Sequence, residues 1–299
     1  MIFSSTSRQG DAVVSNEPIV VYENFSYSYP TTPNALVDIN LEIHRGEIFG
    51  VIGPNGAGKS TFCKSLNGLV PHFYGGTMKG RVLVDGMDTF EHTTAELSTK
   101  VGLVFQEPET QLSGLALTVE DEVGFGLSML GFPAKLIRQR AREALEKVGL
   151  KGFERRSPFE LSGGEQQRLA IATVLAMKPE IMVLDEPVAL LDPIGKYEVL
   201  SVIKEIAAEG STIVIAEHEI EELAYFADRI LVLNEGRMVS LDNAKMVLSE
   251  VEKLKKIGVD PPSVTELAYL LEHDLGIKLE YPITLPEALK IFGELMEGR

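Results

Sequence analysis

The sequence contains a single cysteine, Cys63, among its 299 residues. One cysteine excludes an intramolecular disulfide and a cysteine-built metal site, and it favours a small core residue in a cytosolic protein. No stretch approaches 18 uninterrupted apolar residues, so the sequence predicts no transmembrane helix. Residues 1–18 lack a basic region followed by an apolar core. They predict a disordered tail rather than a signal peptide.

Positive charge is also scarce, since 28 Lys and Arg stand against 44 Asp and Glu, for a net charge of −16. This balance argues against nonspecific nucleic-acid binding, which needs a basic surface. It argues equally against adhesion to an anionic membrane by charge alone. If the protein works at a membrane, another protein must hold it there. The hydrophobic content of 44% is that of a globular chain, long enough for one large domain and a small one.

The alternation of apolar runs with helical patterns predicts an α/β fold with a mostly parallel sheet. Short strands are expected within 19–45, with Val37, Ile39, Leu41 and Ile43 alternating toward one side. Further strands are expected at 47–53, 81–86, 100–106, 180–187, 211–218 and 229–236. Helices are expected at roughly 59–69, 194–209 and 219–227.

Two segments have a helical pattern throughout. Residues 107–160 contain the capping pair Thr118 and Asp121 and predict a helical insert. From about residue 246 onward, Ser263 with Glu266, and Thr284 with Glu287, predict capping boxes at the start of two amphipathic helices. These helices are expected to form a small accessory domain.

The stretch GPNGAGKST matches the complete G-x-x-x-x-G-K-[ST] phosphate loop, with a predicted strand before it and a helix after it. Its glycines let backbone N–H groups turn toward a phosphate, the lysine supplies a positive charge, and the serine hydroxyl can ligate Mg²⁺. The loop consists of Gly53, Pro54, Asn55, Gly56, Ala57, Gly58, Lys59, Ser60 and Thr61. The sequence therefore predicts a nucleotide-binding site.

Polar residues end three other predicted strands. Asp185 and Glu186 close IMVLDEP, where Asp185 can hold Mg²⁺ and Glu186 can polarise an attacking water. His218 closes IVIAEH, and Gln106 closes GLVFQ. Ligands of α/β sheets collect at the carboxyl ends of the strands, so these side chains are expected to lie beside the phosphate loop.

A second candidate anion site lies in LSGGEQQRLA, residues 161–170. Ser162 is a good helix N-cap, and two glycines follow it. The positive end of the predicted helix has no acidic residue before Glu165, so it could bind a phosphate. The residues alone do not say which phosphate this would be.

Together, these motifs resemble the nucleotide-binding subunits of ABC transporters over about residues 19–240. The residues that carry the resemblance are Gly53–Thr61, Gln106, LSGGEQQR, VLDEP, Asp192 and His218, in the family's order and spacing. Within that family the chain is most similar to the ATPases of energy-coupling factor (ECF) vitamin and metal importers. FSYSYP (25–30), GLVPHFYGG (68–76), VFQEPETQL (104–112) and the helical tail support this.

The resemblance implies a P-loop NTPase domain of ABC type over 19–245, followed by a helical accessory or dimerisation domain over 246–299. The first of these would contain an N-terminal antiparallel β subdomain and a helical subdomain at about 107–178. It also implies ATP as substrate and Mg²⁺ held by Ser60, Gln106 and Asp185. Residues 107–160 would present a groove to a coupling helix of a transmembrane protein.

The resemblance further implies a role for each motif residue. Tyr29 would stack on adenine, Gln106 would sense the γ-phosphate, Glu186 would be the general base and His218 the γ-phosphate switch. Asp192 would lie in a loop at the dimer contact. The signature motif would cap ATP bound to the opposite subunit, so that each active site is shared; it comprises Leu161, Ser162, Gly163, Gly164 and Glu165.

The implied partners are a second ATPase subunit, a transmembrane coupling subunit and a substrate-binding membrane subunit, without nucleic acid. The implied location is the cytoplasmic face of the cell membrane. Val188 and Leu190 depart from the family's usual residues, which leaves a homodimer and a heterodimer both open. A soluble ABC-type ATPase acting on nucleic acid, ribosomes or iron–sulfur assembly is the alternative function. For the tail, a wider dimer contact and a regulatory ligand site are both open.

Overall fold

The computed structural model describes residues 17–218 and 220–297. The tail predicted over 1–18 lies outside the described residues except for its last two positions, and Pro18 already begins the first strand. The strands are β1 (Pro18–Ser28), β2 (Leu36–His44), β3 (Ile48–Ile52), β4 (Thr77–Val84), β5 (Met87–Asp88), β6 (Val101–Val104), β7 (Ile181–Asp185), β8 (Thr212–Ala216), β9 (Arg229–Asn234) and β10 (Arg237–Asn243).

Helices fill the connections between strands and form the C-terminal part. They are α1 (Lys59–Leu66), α2 (Leu69–His72), α3 (Thr94–Leu97), α4 (Pro108–Gln111), α5 (Val119–Met129), α6 (Ala134–Lys147), α7 (Gly163–Met177), α8 (Pro193–Ala208), α9 (Ile220–Leu223), α10 (Ala244–Leu248), α11 (Val251–Lys256), α12 (Ser263–Leu275) and α13 (Leu285–Met296). A short 3₁₀ turn covers Pro158–Glu160. The helix expected near 219–227 is shorter than predicted, since α9 ends at Leu223.

The larger sheet has six strands in the order β10-β9-β3-β8-β7-β6. Strands β9, β3, β8, β7 and β6 run parallel, which confirms the predicted parallel sheet, and β10 pairs antiparallel with β9. Every residue of β3, β7 and β8 is buried. Because both faces of a parallel sheet are covered, these strands read as continuous apolar runs in the sequence.

The smaller sheet is antiparallel, with the order β2-β1-β4-β5. One part of its predicted pattern is wrong, because Val37 is only partly buried and Leu36 is buried instead. Asp38 has a left-handed backbone with φ of 53°, and the pairing of β1 with β2 is irregular at this point. This irregularity shifts the alternation by one residue, so only Ile39, Leu41 and Ile43 follow the prediction.

The six-stranded sheet separates two apolar clusters. Phe49 and Val51 of β3 point into a cluster with α1 and the antiparallel sheet, whereas Ile48 and Ile52 pack with the helices on the other face. Cys63 of α1 is fully buried in the first cluster, as predicted for a small core residue. The chain thus positions the phosphate-loop helix between the two sheets.

Helices α5, α6 and α7 pack against one another and form the predicted helical subdomain. The Thr118 hydroxyl accepts the N–H of Asp121 at 3.1 Å, which confirms the predicted cap of α5. In the described residues, no helix is long and apolar enough to cross a bilayer.

Helices α10–α13 form the C-terminal part of the chain, and both capping boxes predicted there are wrong. The N-cap of α12 is Pro262, and the Ser263 hydroxyl donates to Glu221 at 2.7 Å. At α13, Glu287 accepts the N–H of Ile283, one residue before the N-cap. Contacts between distant segments therefore engage the side chains that the local pattern assigned to caps.

Candidate nucleotide-binding site

The phosphate loop joins β3 to α1, as predicted. Gly53 ends the strand region with a φ of 154°, and a Cβ atom there would lie 2.2 Å from the carbonyl oxygen of Leu233. Only glycine fits this approach. The first turn of α1 contains no acidic residue, so its free N–H groups and the helix dipole favour an anion at the loop.

The side chain of Lys59 lies inside the loop and is only 4% exposed. Its Nζ donates to the carbonyl oxygen of Gly53 at 3.0 Å and lies 3.2 Å from Oε1 of Glu186. A buried ammonium is costly unless it is paired, and here the loop carbonyls and one carboxylate surround it. The ammonium of Lys59 is thereby held within the loop, next to Glu186.

Asp185 ends β7, and its carboxylate is buried beside the phosphate loop. The Ser60 hydroxyl donates to Oδ1 of Asp185 at 3.0 Å. Burial raises the pKa of Asp185 above its ordinary value. A desolvated carboxylate next to a hydroxyl is an oxygen donor set that suits Mg²⁺, which takes few protein ligands and completes its shell with water and phosphate oxygens. The residues present therefore fit a magnesium ion.

Three predicted residues, Gln106, Glu186 and His218, lie together, with Glu186 in contact with the other two. Nε2 of Gln106 donates to Oε2 of Glu186 at 3.0 Å, and Nδ1 of His218 lies 3.7 Å from the same oxygen. These residues follow β6, β7 and β8, which are neighbours in the sheet. Glu186 has a left-handed backbone with a φ of 49°, which is uncommon for a residue other than glycine. Its N–H donates to the carbonyl oxygen of Ala216 at 2.9 Å, which holds this conformation.

These residues surround a cleft of about 410 Å³. Tyr29 lines it, and its hydroxyl is 3.2 Å from Oγ1 of Thr61. Gln106 and Glu186 also line it. Thr32 and Ala35 also line the cleft, although no motif in the sequence indicated them. The structure thus brings the predicted phosphate, metal and catalytic residues of one chain together.

The signature segment stands apart from this cleft. Ser162 is the N-cap of α7, as predicted, and Glu165 completes a capping box with it that the sequence analysis did not predict. The Ser162 N–H donates to the Glu165 carboxylate at 2.7 Å, and this bond lowers the pKa of Glu165. Ser162 and Gly163 are exposed, whereas Leu161 is buried.

A separate cleft of about 420 Å³ is lined by Gly163, Leu190 and Leu191, among others. Gln106 borders both clefts, so it is the residue shared by the phosphate-loop region and the signature region. A Cβ atom on Gly164 would lie 3.5 Å from the Cα atom of Gly195, in ordinary contact. A Cβ atom on Gly163 would lie 3.9 Å from Cδ2 of Leu191. The signature tip therefore packs near the first turn of α8 and the loop that precedes it.

That loop contains the remaining predicted residue, Asp192, which is the N-cap of α8. Its carboxylate accepts the N–H of Gly195 at 2.7 Å. Val188 is buried in the apolar core, which explains a valine there, whereas Leu190 is 69% exposed. Of the two departures noted in the sequence, only Leu190 has its side chain exposed at the surface.

Comparison with known proteins is consistent with this geometry. The family model described as ABC transporter matches residues 36–189. A putative ABC transporter ATP-binding protein of Pyrococcus abyssi is 46% identical, covering 85% of this chain and 91% of that protein. The energy-coupling factor transporter ATP-binding protein EcfA1 of Caldanaerobacter subterraneus is 42% identical, over 92% of this chain and 98% of that protein.

Solved structures agree with these relatives. CbiO1 from Clostridium perfringens, described as part of the ABC transporter complex cbiONQ, superposes with a TM-score of 0.71 at 34% identity. The match covers 86% of this chain and 99% of that one. A dimeric post-hydrolysis structure of the ATP-binding cassette MJ0796, bound to ADP and Pi, superposes with a TM-score of 0.65 at 29% identity. It covers 75% of this chain and 98% of that one.

Proposed function

This chain belongs to the ABC transporter family of ATPases, and on that premise we propose that it is the motor subunit of an ECF importer for a vitamin or a transition-metal ion. The likeness to EcfA1 extends over 92% of this chain, which supports the ECF assignment within the family. The observation that carries the catalytic part is the meeting of Lys59, Asp185 and Glu186 at the phosphate loop.

ATP would lie along the cleft, with its base at Tyr29 and its phosphates in Gly53–Thr61. The N–H groups at the start of α1 and the ammonium of Lys59 would hold the β- and γ-phosphates. Ser60, Asp185 and Gln106 would hold Mg²⁺, which neutralises charge on the phosphate oxygens when it is bound.

Glu186 is the best-placed general base. In hydrolysis, a water oxygen bonds to the γ-phosphorus, the bond from that phosphorus to the ADP oxygen breaks, and Glu186 accepts the proton of the water. Nε2 of Gln106 donates a hydrogen bond to Oε2 of this carboxylate at 3.0 Å, and Nδ1 of His218 lies 3.7 Å from the same oxygen. His218, 44% exposed, would contact the γ-phosphate and respond to its release.

We also propose that the active site is completed by a second ATPase subunit. Gly163 lines a cleft different from that of the phosphate loop, which supports a role toward a neighbouring chain. The positive end of α7 would then cap the γ-phosphate held by the partner subunit, and Asp192 would lie at the same contact. The partner is a second copy or a sister ATPase.

The C-terminal helices would widen this contact. Leu267 of α12 and Leu289 of α13 are 46% and 66% exposed, and apolar side chains on neighbouring helices favour burial against a partner. Leu289→Glu is expected to weaken dimerisation in sedimentation experiments without lowering the thermal unfolding midpoint. Unchanged dimerisation would favour the other role considered for this domain, a regulatory ligand site.

The membrane partners would be a transmembrane coupling subunit, docked on the helical subdomain, and a substrate-binding subunit. The chain would act as a peripheral protein at the cytoplasmic face of the membrane. Affinity purification from detergent-solubilised membranes tests this directly. Stoichiometric recovery of a polytopic membrane protein is the expected result, whereas recovery of nucleic acid, ribosomes or iron–sulfur assembly proteins would overturn it.

A further inference from the structure

An aromatic loop, residues 73–76, packs against the segment that carries Tyr29. We propose that Tyr74 of this loop is a positioning residue for the nucleotide base, acting through the ring of Tyr29. This inference rests on the proposed contact between Tyr29 and the base, and it assigns a role to Tyr74, for which the sequence analysis predicted none.

The ring of Tyr29 is held by two other tyrosines. Its centroid lies 4.8 Å from that of Tyr27 and 5.9 Å from that of Tyr74, with interplanar angles of 83° and 89°. Perpendicular pairs at these distances are favourable aromatic arrangements. Together with the 3.2 Å contact between the Tyr29 hydroxyl and Thr61, they fix both the tilt of the ring and its depth in the cleft.

Helix α1 contacts both rings. Thr61, in its first turn, meets the hydroxyl of Tyr29. Lys64, one turn later, places Nζ 4.9 Å from the centroid of the Tyr74 ring, within the range of a cation–π interaction. The helix whose N-terminus faces the phosphates therefore also supports the base platform. Base and phosphate positions are set relative to each other by one rigid group.

The aromatic loop itself is fixed. The hydroxyl of Tyr27, a buried residue, donates to the carbonyl oxygen of Gly75 at 2.5 Å. Gly76 has a φ of 96°, and a Cβ atom there would lie 2.2 Å from the carbonyl oxygen of Ser28. Such a close backbone approach requires glycine. Tyr74 is consequently held against Tyr29 by the backbone rather than resting loosely on the surface.

Binding measurements with and without a base test the proposal. Isothermal titration of the full chain would compare MgATP with magnesium tripolyphosphate, which has the phosphates but no base. Tyr74→Leu is expected to raise the Kd for MgATP by about two- to tenfold, the effect of one aromatic contact. The Kd for tripolyphosphate should stay the same. Tyr74→Phe, which keeps the ring, should bind MgATP like the wild type.

Phe90 provides a matched control, because it is also an exposed aromatic residue that packs on another ring. Its ring centroid lies 6.0 Å from that of His72. Phe90→Leu should change neither Kd. If Tyr74→Leu does not fold, Tyr74→Gln serves instead, because Tyr74 is 37% exposed and tolerates a polar replacement. Unchanged MgATP binding, or an equal loss for both ligands, would overturn the positioning role.

The variant Tyr29→Leu separates this inference from the proposed function. If Tyr74 acts through Tyr29, the double variant should bind MgATP no more weakly than Tyr29→Leu alone. Additive losses would overturn the inference and leave the base contact of Tyr29 intact. If Tyr29→Leu by itself leaves MgATP binding unchanged, the base contact fails, and the inference fails with it.

Discussion

Lys59 and Glu186 form an ion pair at the phosphate loop, with Nζ 3.2 Å from Oε1. The lysine is 4% exposed and the carboxylate side chain 13% exposed, so little solvent screens the pair. The residue that would bind the terminal phosphates thus contacts the residue that would activate water. Phosphate binding and the position of the base are therefore electrostatically linked.

Glu186→Gln is expected to reduce ATP turnover by roughly 10²- to 10⁴-fold, the usual contribution of a general base. ATP affinity should be kept or increased, because the neutral amide no longer competes with phosphate for Lys59. Phosphate release and nucleotide titration measure the two effects. Glu205→Gln, at an exposed position of α8, is the control. Near-normal turnover would remove Glu186 from the base role.

Gly164→Asp should block dimerisation while leaving the affinity of the monomer for nucleotide unchanged. The added Cβ has room, with its nearest atom at 3.5 Å, so the effect comes from a carboxylate facing the partner's phosphate. Light scattering with MgATP, in chains that also carry Glu186→Gln, measures the dimer. Gly164→Asn is the neutral control of matching shape and should dimerise better. Loss of ATP binding in the aspartate variant would contradict the shared site.

Asp185→Asn should stabilise the metal-free chain at neutral pH but lower Mg²⁺-dependent ATP turnover by about 10²-fold or more. Burial raises the pKa of Asp185, so the ionised carboxylate costs stability above that pKa. This cost disappears as the pH falls through the raised pKa, and the stability difference between variant and wild type should shrink accordingly. Thermal unfolding in a chelator at neutral and acidic pH measures it. An equally stable or less stable variant at neutral pH would contradict the prediction.

An ion cluster joins the two sheets at the end opposite the nucleotide cleft. Asp85 accepts from Arg45 and from Lys100, both at 2.7 Å, and Glu180 pairs with the same two cations. Hydrogen bonds lower the pKa of both carboxyls, and the bond from Lys100 contributes more than the bond from Arg45. The cluster therefore stabilises the fold above the ordinary pKa values of 3.8 and 4.5, and this stabilisation is lost as the pH falls below them.

Asp85→Asn should accordingly lower the free energy of unfolding near neutral pH, by about 0.2–1 kcal/mol for each partly exposed pair. Its stability should also fall less steeply between about pH 5 and pH 3 than that of the wild type, because the variant lacks one carboxyl whose pKa is lowered in the folded state. Urea denaturation across this range measures both. Glu294→Gln, on the exposed side of α13, is the control. Parallel pH profiles for Asp85→Asn and wild type would contradict the role of the cluster.

Local patterns identified much of the fold. The buried strands β3, β7 and β8, the phosphate loop and the caps at Thr118 and Ser162 were all predicted, because their signals lie within a few neighbouring residues. The pattern failed where long-range contacts compete with it. Glu221 engages Ser263, so the predicted capping box does not form, and the left-handed Asp38 shifts the alternation of β2.

The sequence by itself determined which residues could bind a nucleotide, because the types and spacing required to wrap phosphates are local properties of the chain. Only the tertiary structure decided how they act on one another. The approach of Gln106 and Lys59 to Glu186, and the packing of Tyr74 on Tyr29, join segments 45 to 127 positions apart. Such contacts depend on the order of strands in the sheet and on the loops that cross it, which no short stretch of sequence specifies.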